Sequence, residues 1–209
     1  PVLEFRQPEN REPLERAIHD LQLGGAYDWV VFTSANTVRY FWDELNRVGL
    51  DLRVFAGCRV ACVGPATAEA LRGRSVNADL IPEQYSSEAL VGALLGFGDL
   101  PGKRFLLPRA EIARNALPDA LKKHGVAVTI ADAYGTHRPE ASVESAVRHV
   151  EVVDTVTFTS PSSVRNLMEM LGDRALELLS ARTRAAIGPI TARALEKAGL
   201  EPQIVAEKS

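Results

Sequence analysis

The sequence has few of the features that mark secreted, membrane-spanning or metal-dependent proteins. Only two of the 209 residues are cysteines, Cys58 and Cys62, and no further Cys or His cluster accompanies them. Buried thiols in a reducing compartment therefore explain them better than metal ligation does. No apolar run approaches the roughly 18 residues that a membrane helix needs, and the first residues lack the pattern of a signal peptide. A formal net charge of -3 argues against a nucleic-acid-binding protein. We expect a cytoplasmic protein with no metal and no nucleic-acid or membrane partner.

The familiar catalytic motifs are also missing. The sequence contains no glycine-rich dinucleotide fingerprint, no phosphate loop ending in Gly-Lys-Ser/Thr and no nucleophile elbow around a serine. The four histidines fall mostly on polar helix faces or in loops, where ordinary surface positions explain them. The sequence therefore gives little support to covalent catalysis or metal-dependent hydrolysis. The remaining indication of function is the position of polar residues at the ends of the predicted strands.

Two pairs of similar segments are present instead. VVFTSANTV at 30–38 returns as VTFTSPSSV at 156–164, and RVACVGPATAEAL at 59–71 returns as RAAIGPITARAL at 184–195. The two pairs are separated by 126 and 124 positions. Two matched pairs at nearly one spacing indicate an internal duplication.

Short apolar strands alternate with helices of about ten to fifteen residues along the chain. This alternation predicts an α/β fold with parallel sheets and helices on both faces, five strands in the first copy and three in the second. A short predicted strand, PVLEF, precedes the first copy. The five predicted strands of the first copy are DWVVFT, RVACV, ADLIP, RFLLP and VAVTIADAY, and the three of the second are DTVTFTS, RAAIG and EPQIVAE. The predicted helices run from Pro13 to about Leu23, from Ser34 to Gly49, over ATAEALRG, from Ser86 to about Phe97, from about Ile112 to His124, over about 140–150, on to Leu171, over 174–180 and over ITARALEKAG.

The duplicated segments place hydroxyl-rich turns where parallel sheets bind ligands. Ligands bind beyond the carboxyl ends of the strands, where helix N-termini present unpaired N–H groups and a partial positive charge. Such turns could bind carboxylates or phosphates, although helix N-capping by itself also explains the Ser and Thr residues. The four turns are Thr33-Ser34-Ala35-Asn36, Gly64-Pro65-Ala66-Thr67, Thr159-Ser160-Pro161-Ser162 and Gly188-Pro189-Ile190-Thr191.

These motifs, with LLPRAEIARNALPDALKKHG and the strand ending in Tyr134, resemble the uroporphyrinogen-III synthase family over nearly the whole chain. The resemblance implies two flavodoxin-like domains joined by a two-stranded linker, with the active site in the cleft between them. It implies a cofactor-free cytoplasmic lyase, expected to be a monomer. Its small-molecule substrate would be hydroxymethylbilane, a linear tetrapyrrole that is cyclised to uroporphyrinogen III with inversion of ring D.

The same resemblance sets the expected domain boundaries. Residues 8–130 would form one complete domain, 1–7 and 131–138 the linker, and 139–209 part of a second domain. That second domain would lack its N-terminal βαβ segment and its final helix. The short connection between 150 and 154 leaves two alternatives, a few missing residues or a tight turn.

The resemblance also carries over individual residues. Tyr134 would donate a proton to the departing hydroxyl, with packing of its ring in the hinge as the alternative. Ile190 departs from the threonine that is common at that position in the family, and a solvated helix face is the favoured explanation for Arg39 and Arg165. The expected substrate-binding residues are Thr33, Ser34, Ala35, Gly64, Thr67, Arg109, Arg114, Ser160, Pro161, Ser162, Gly188 and Thr191. The competing function is a non-catalytic two-lobed module that binds an anionic ligand.

Overall fold

The computed structural model of the protein describes residues 4–137 and 143–206. The chain separates into two compact units, a first unit of Phe5–Thr136 and a second unit of Glu4 and the described residues from His137 onwards. Residues 1–3 of the predicted strand PVLEF, and the predicted linker and helix positions 138–142, lie outside the described residues. Among the helices described, none has the length and apolar character to cross a membrane.

The first unit contains a five-stranded sheet with the strand order β1-β5-β4-β2-β3. β2 pairs in parallel with β3 and with β4, and β4 pairs in parallel with β5. All four residues of β2 are buried because helices cover both faces of the sheet, as the continuous apolar run predicts. The strands are β1 (Glu4–Arg6), β2 (Trp29–Phe32), β3 (Arg59–Cys62), β4 (Arg104–Ala110) and β5 (Ala127–His137).

Two layers of helices enclose this sheet. α1, α2, α3 and a 3₁₀ segment pack on the face that contains Phe32, whereas α4 and α5 pack on the face that contains Trp29 and Val31. The apolar side of α2 is buried, since Val38 and Phe41 are almost completely inaccessible to solvent. The helices are α1 (Glu12–Leu23), α2 (Ala35–Arg47), α3 (Pro65–Arg72), α4 (Ser87–Phe97) and α5 (Ala116–Lys123), with the 3₁₀ segment at Leu52–Gly57.

Three predicted elements are wrong in extent. The segment ADLIP forms only a single bridge, Ala61 to Leu80, because the Asp79 carboxylate accepts the Val60 amide and ends the ladder, and Ile81 is exposed. The helix predicted from Ile112 begins at Ala116, since Ile112 is 87% exposed and contributes no apolar stripe. The strand predicted over EPQIVAE is confined to Ile204–Val205, whose residues are both exposed.

The second unit has a three-stranded parallel sheet in the order β6-β7-β8, which is the predicted number of strands. Its hydrophobic cluster joins Phe158 and Ala186 of the sheet to the helices. The strands are β6 (Thr155–Phe158), β7 (Thr183–Ala186) and β8 (Ile204–Val205). The helices are α6 (Val143–Glu151), α7 (Pro161–Leu171), α8 (Ala175–Ser180) and α9 (Pro189–Lys197), with a 3₁₀ turn at Gly172–Arg174.

The connection between α6 and β6 consists of three residues, 152–154. Arg182 secures it, because its guanidinium donates hydrogen bonds of 2.8 Å to the backbone carbonyls of Val150 and Glu151 at the end of α6. These carbonyls have no partner inside the helix, so the arginine acts as a C-terminal cap. In this structure a tight turn makes the connection.

Candidate functional site

The carboxyl edge of the first unit brings two of the predicted turns together. Phe32, the last residue of β2, lies in register with Cys62, the last residue of β3. The Val63 amide donates to the Phe32 carbonyl across a distance of 3.2 Å. Ser34 and Gly64 each follow this register pair by two residues, so their turns are neighbours at the edge of the sheet.

Ser34 caps α2, as its sequence predicts. Its Oγ accepts a hydrogen bond of 3.1 Å from the Thr37 amide and lies 2.9 Å from the Thr37 hydroxyl. Thr33 is exposed, and Ala35 and Asn36 are half-buried. Capping satisfies one amide of the first turn of the helix, and the remaining amides and the partial positive charge stay available for an anion.

The Gly64 turn begins α3 with Pro65 at the first helical position. Thr67 is only 5% exposed, and its amide donates to the Gly64 carbonyl at 3.1 Å. The ring of Tyr85 covers the glycine, since a Cβ atom at position 64 would lie 3.6 Å from the ring. Tyr85 is 64% exposed and was not foreseen from the sequence, although an aromatic residue in the polar segment PEQYSS was the available signal.

The second unit repeats this local arrangement. Phe158 lies in register with Ala186, and the Ile187 amide donates to the Phe158 carbonyl at 3.0 Å. The Ser160 turn and the Gly188 turn are consequently neighbours at the carboxyl edge of this sheet.

The side chains of these two turns differ in accessibility. Ser160 caps α7 through a capping box with Ser163, and its Oγ lies 3.0 Å from that of Ser162. Thr191 is 3% exposed, whereas the preceding Ile190 is 66% exposed. Ile190, where the resembling family commonly has threonine, therefore places an apolar side chain rather than a hydroxyl at the surface of this turn.

Arg109 stands at an irregular position on β4, where the register with β5 shifts. Its Nη1 donates a hydrogen bond of 2.8 Å to Asn115 Oδ1, and its Nε lies 3.8 Å from Asp132 Oδ1. The Nε and Oδ1 atoms are buried and have no hydrogen-bond partner among residues 4–137 and 143–206. Arg114 is exposed in the loop before α5, so the structure places it outside the helix expected from Ile112.

Tyr134 lies beside this irregularity, in register with Ala110. Its ring is stacked on Tyr40, with centroids 5.3 Å apart, and makes an edge contact with Phe5 at 5.5 Å. The side chain is only 8% exposed. Packing of the ring is therefore observed, and it fixes the direction of the hydroxyl, for which the described part of the chain shows no hydrogen-bond partner.

Neither cysteine has the features of a metal ligand or of a catalytic nucleophile. Both are free thiols, and Cys62 is buried. Burial, with a smaller contribution from the Asp79 carboxylate, raises the pKa of the Cys58 thiol to about 11. The described residues contain no group of three or more His, Cys, Asp or Glu side chains that could hold a metal ion.

The comparisons with known proteins agree on one family. A candidate uroporphyrinogen-III synthase of Methanothermobacter thermautotrophicus is 35% identical over 96% of this chain and 79% of its own length. The uroporphyrinogen-III synthase of Synechococcus elongatus is 29% identical over 91% of this chain and 73% of its own. The crystal structure of the Helicobacter pylori enzyme shares the fold, with a TM-score of 0.67 at 18% identity over 99% of this chain and 84% of that chain. The family model described as uroporphyrinogen-III synthase HemD matches residues 1–209, and this chain therefore belongs to the uroporphyrinogen-III synthase family of porphyrin biosynthesis.

Proposed function

We propose that this chain cyclises hydroxymethylbilane to uroporphyrinogen III, with inversion of ring D and loss of water. Family membership supports the reaction, and one structural observation supports the site. In each unit the register of two parallel strands sets two helix-opening turns side by side at the carboxyl edge. Edges of this kind bind anionic groups in α/β proteins, and the substrate carries eight carboxylates.

The proposed mechanism begins with loss of the substrate hydroxyl, which leaves as water and produces an electrophilic azafulvene. Ring D attacks this centre through its substituted carbon and forms a spiro intermediate. That intermediate fragments and closes again with the ring turned over. Closure without guidance gives no inversion, so the protein contributes mainly by holding the reacting conformation.

Tyr134 is the proposed proton donor to the departing hydroxyl. Stacking on Tyr40 and edge contact with Phe5 restrict the ring, so the O–H would be directed without rearrangement. A proton donor in a fixed position lowers the barrier to loss of a poor leaving group. The buried ring also agrees with a purely packing role, and the hydroxyl alone distinguishes the two.

The remaining predicted residues are proposed to hold carboxylates. Ser34, Thr67, Ser160 and Thr191 stand at the first turns of four helices, where amides and hydroxyls can donate together. Arg109 and Arg114 would add charge-assisted hydrogen bonds. Thr33, Ala35, Gly64, Ser162 and Gly188 would contribute backbone amides or hydroxyls from the same turns, whereas Pro161 has no N–H and would only shape the start of α7.

The proposal also covers the domain boundaries, the oligomeric state and the cellular location of the protein. We propose that residues 8–130 form a complete flavodoxin-like domain, 1–7 and 131–138 a two-stranded linker, and 139–209 part of a second α/β domain. The enzyme is proposed to act as a cytoplasmic monomer without a cofactor.

Turnover separates this function from a module that only binds the linear tetrapyrrole. Fresh hydroxymethylbilane would be supplied at a hundredfold excess over the protein, and uroporphyrinogen III would be quantified chromatographically. An enzyme produces isomer III in large excess over its own concentration. A binding module produces at most the uncatalysed background.

A further inference from the structure

A groove with a volume of about 600 Å³ lies between α7 and α9 of the second unit. Its apolar surface comes from Val164 and Met168 of α7 and from Ala194 and Ala198 of α9. A volume of this size is typical of small-molecule sites, which occupy roughly 300–1,000 Å³. The groove also includes Pro161 and Ile190, at positions in the first turns of the two helices.

Three cations border this apolar surface. Arg165, Arg193 and Lys197 line the groove and are exposed. Across the described ranges none of the three takes part in an ion pair or a side-chain hydrogen bond. Glu169 is the acidic residue of the lining, so the groove carries an excess of positive charge and would attract an anionic ligand.

The corresponding helices of the first unit show that the fold does not require Arg193 or Lys197, whereas Arg39 occupies the place of Arg165 in the first unit. With the spacing of the repeat, Glu69 of α3 takes the place of Arg193, and Gly73, directly after α3, takes the place of Lys197. Glu69 is paired with Arg72 and so has a local structural role. The two cations on α9 are a property of the second unit alone.

The apolar surface differs in the same way. Trp42 of α2 takes the place of Met168, and it is stacked on Phe55 with the ring centroids 5.4 Å apart. Trp42 is 5% exposed, whereas Met168 is only partly buried. The first unit fills this position with its own aromatic residues, while the second unit leaves an adaptable methionine at the surface of the groove.

We propose that the α7–α9 groove is a binding site for a cyclic tetrapyrrole polycarboxylate, the chemical class of the reaction's product. The pyrrole rings would lie against Met168 and the neighbouring alanines, and the carboxylates would pair with Arg165, Arg193 and Lys197. The identity of the ligand rests on the proposed function. A small molecule is favoured over an acidic protein segment by the volume of the groove and by its closeness to the predicted carboxylate-binding turns.

The two methionines of the chain, Met168 and Met170, provide a direct test. Met168 lines the groove and Met170 is 5% exposed in the core, so methyl-¹³C labelling gives one reporter and one internal reference. The probe is uroporphyrin III, the aromatic oxidised form of the product, whose ring current displaces nearby methyl resonances. Met168→Leu assigns the two signals. We expect a saturable shift of Met168 with Met170 nearly unchanged, and a Met168 signal that does not move would overturn the proposal.

Charge reversal determines whether the carboxylates are recognised. Arg193→Glu, which introduces the residue type of the first unit, is expected to weaken the affinity reported by Met168 about tenfold. Arg148→Glu on α6 makes the same change in net charge away from the groove and is expected to leave that affinity unchanged. Equal affinities for the two variants would reduce the binding to apolar adsorption and contradict the proposed site.

An acidic peptide and a turnover assay distinguish the proposed ligand from a protein partner and the groove from the catalytic function. If an acidic peptide shifts Met168 and uroporphyrin III does not, the groove belongs to a protein partner and the proposal is wrong. Formation of isomer III from hydroxymethylbilane is measured on the same sample. Turnover with a silent Met168 rejects only the groove, whereas a Met168 shift without turnover rejects only the catalytic function.

Discussion

Tyr134 is stacked on Tyr40 with the ring centroids 5.3 Å apart and the ring planes inclined by 22°. The Tyr40 hydroxyl donates a hydrogen bond of 2.6 Å to the Phe5 carbonyl. The Tyr40 hydroxyl is therefore used in a hydrogen bond, whereas within residues 4–137 and 143–206 the Tyr134 hydroxyl makes none. The pair allows a structural hydroxyl and a proposed catalytic hydroxyl to be compared in one environment.

The change Tyr134→Phe removes the proposed proton donor and keeps the ring. We expect kcat to fall about 100-fold, because general acid catalysis by a positioned side chain contributes about 10²–10⁴-fold. Thermal unfolding should change little. Steady-state rates of isomer III formation measure the first effect, and unchanged turnover would assign Tyr134 to packing.

Tyr40→Phe is the matched control. It deletes the hydrogen bond to Phe5 and should cost about 1 kcal/mol in the free energy of unfolding, the usual net value of such a bond. Its kcat should remain within about twofold of wild type, since the hydroxyl of Tyr40 takes no part in the proposed chemistry. Equal losses of kcat in the two variants would attribute both to disturbed packing.

Substitutions at Ser34 can separate capping from carboxylate binding. Asn and Asp both cap helices well, so Ser34→Asn and Ser34→Asp should each remain within about 1 kcal/mol of wild-type stability. The aspartate adds a negative charge where substrate carboxylates are proposed to bind. We expect KM to rise at least about tenfold more in Ser34→Asp than in Ser34→Asn, in keeping with like-charge repulsion. Equal KM values for the two variants would show that Ser34 caps the helix and does not bind a substrate carboxylate.

Arg184 is a stabilising residue of the second unit that its sequence position did not indicate. It is 6% exposed on β7, and its guanidinium donates to the carbonyls of Leu179, Arg182 and Glu201 at 2.5–2.9 Å. Removing a charged donor leaves these carbonyls without a partner, at about 1–3 kcal/mol for each buried group. Arg184→Met should therefore lower the free energy of unfolding by about 3 kcal/mol or more, measured by chemical denaturation. A loss below about 1 kcal/mol would show that water replaces the guanidinium.

The raised pKa of Cys58 makes stability depend on pH in the alkaline range. Its pKa rises from 9.0 to about 11 on folding, so the unfolded chain loses the thiol proton first. This contribution is complete below pH 9 and is lost as the pH rises from 9 towards 11. Cys58→Ala should reduce the fall in stability between pH 9 and 11 by about 2 kcal/mol. Identical slopes for the variant and wild type would contradict the pKa shift.

The sequence predicts the buried strands and the turns well because each has a strong local cause. A continuous apolar run such as residues 29–32 is buried on both faces in any parallel sheet, and a serine before a helical pattern becomes a cap. The register that makes the Ser34 and Gly64 turns neighbours follows from parallel pairing of consecutive strands. Repetition of these signals in the second unit strengthened each of them.

Other features depend on tertiary contacts that no local pattern reveals. Leu80 forms only one bridge because Asp79 uses its carboxylate to accept the Val60 amide at 2.7 Å, which ends the ladder. Tyr85 reaches Gly64 across a loop, and Arg184 finds carbonyls from two separate segments. The corresponding position in the first copy is Val60, so the repeat does not predict a buried arginine at position 184.

The ratio of product isomers tests the central claim most directly. Fresh hydroxymethylbilane would be incubated with the protein, with heat-denatured protein and with buffer alone, and the products oxidised and resolved by chromatography. Isomer III is expected to dominate with native protein and to grow in proportion to enzyme concentration, whereas both controls give the uninverted isomer I. Isomer I alone in the presence of native protein would contradict the proposed ring inversion.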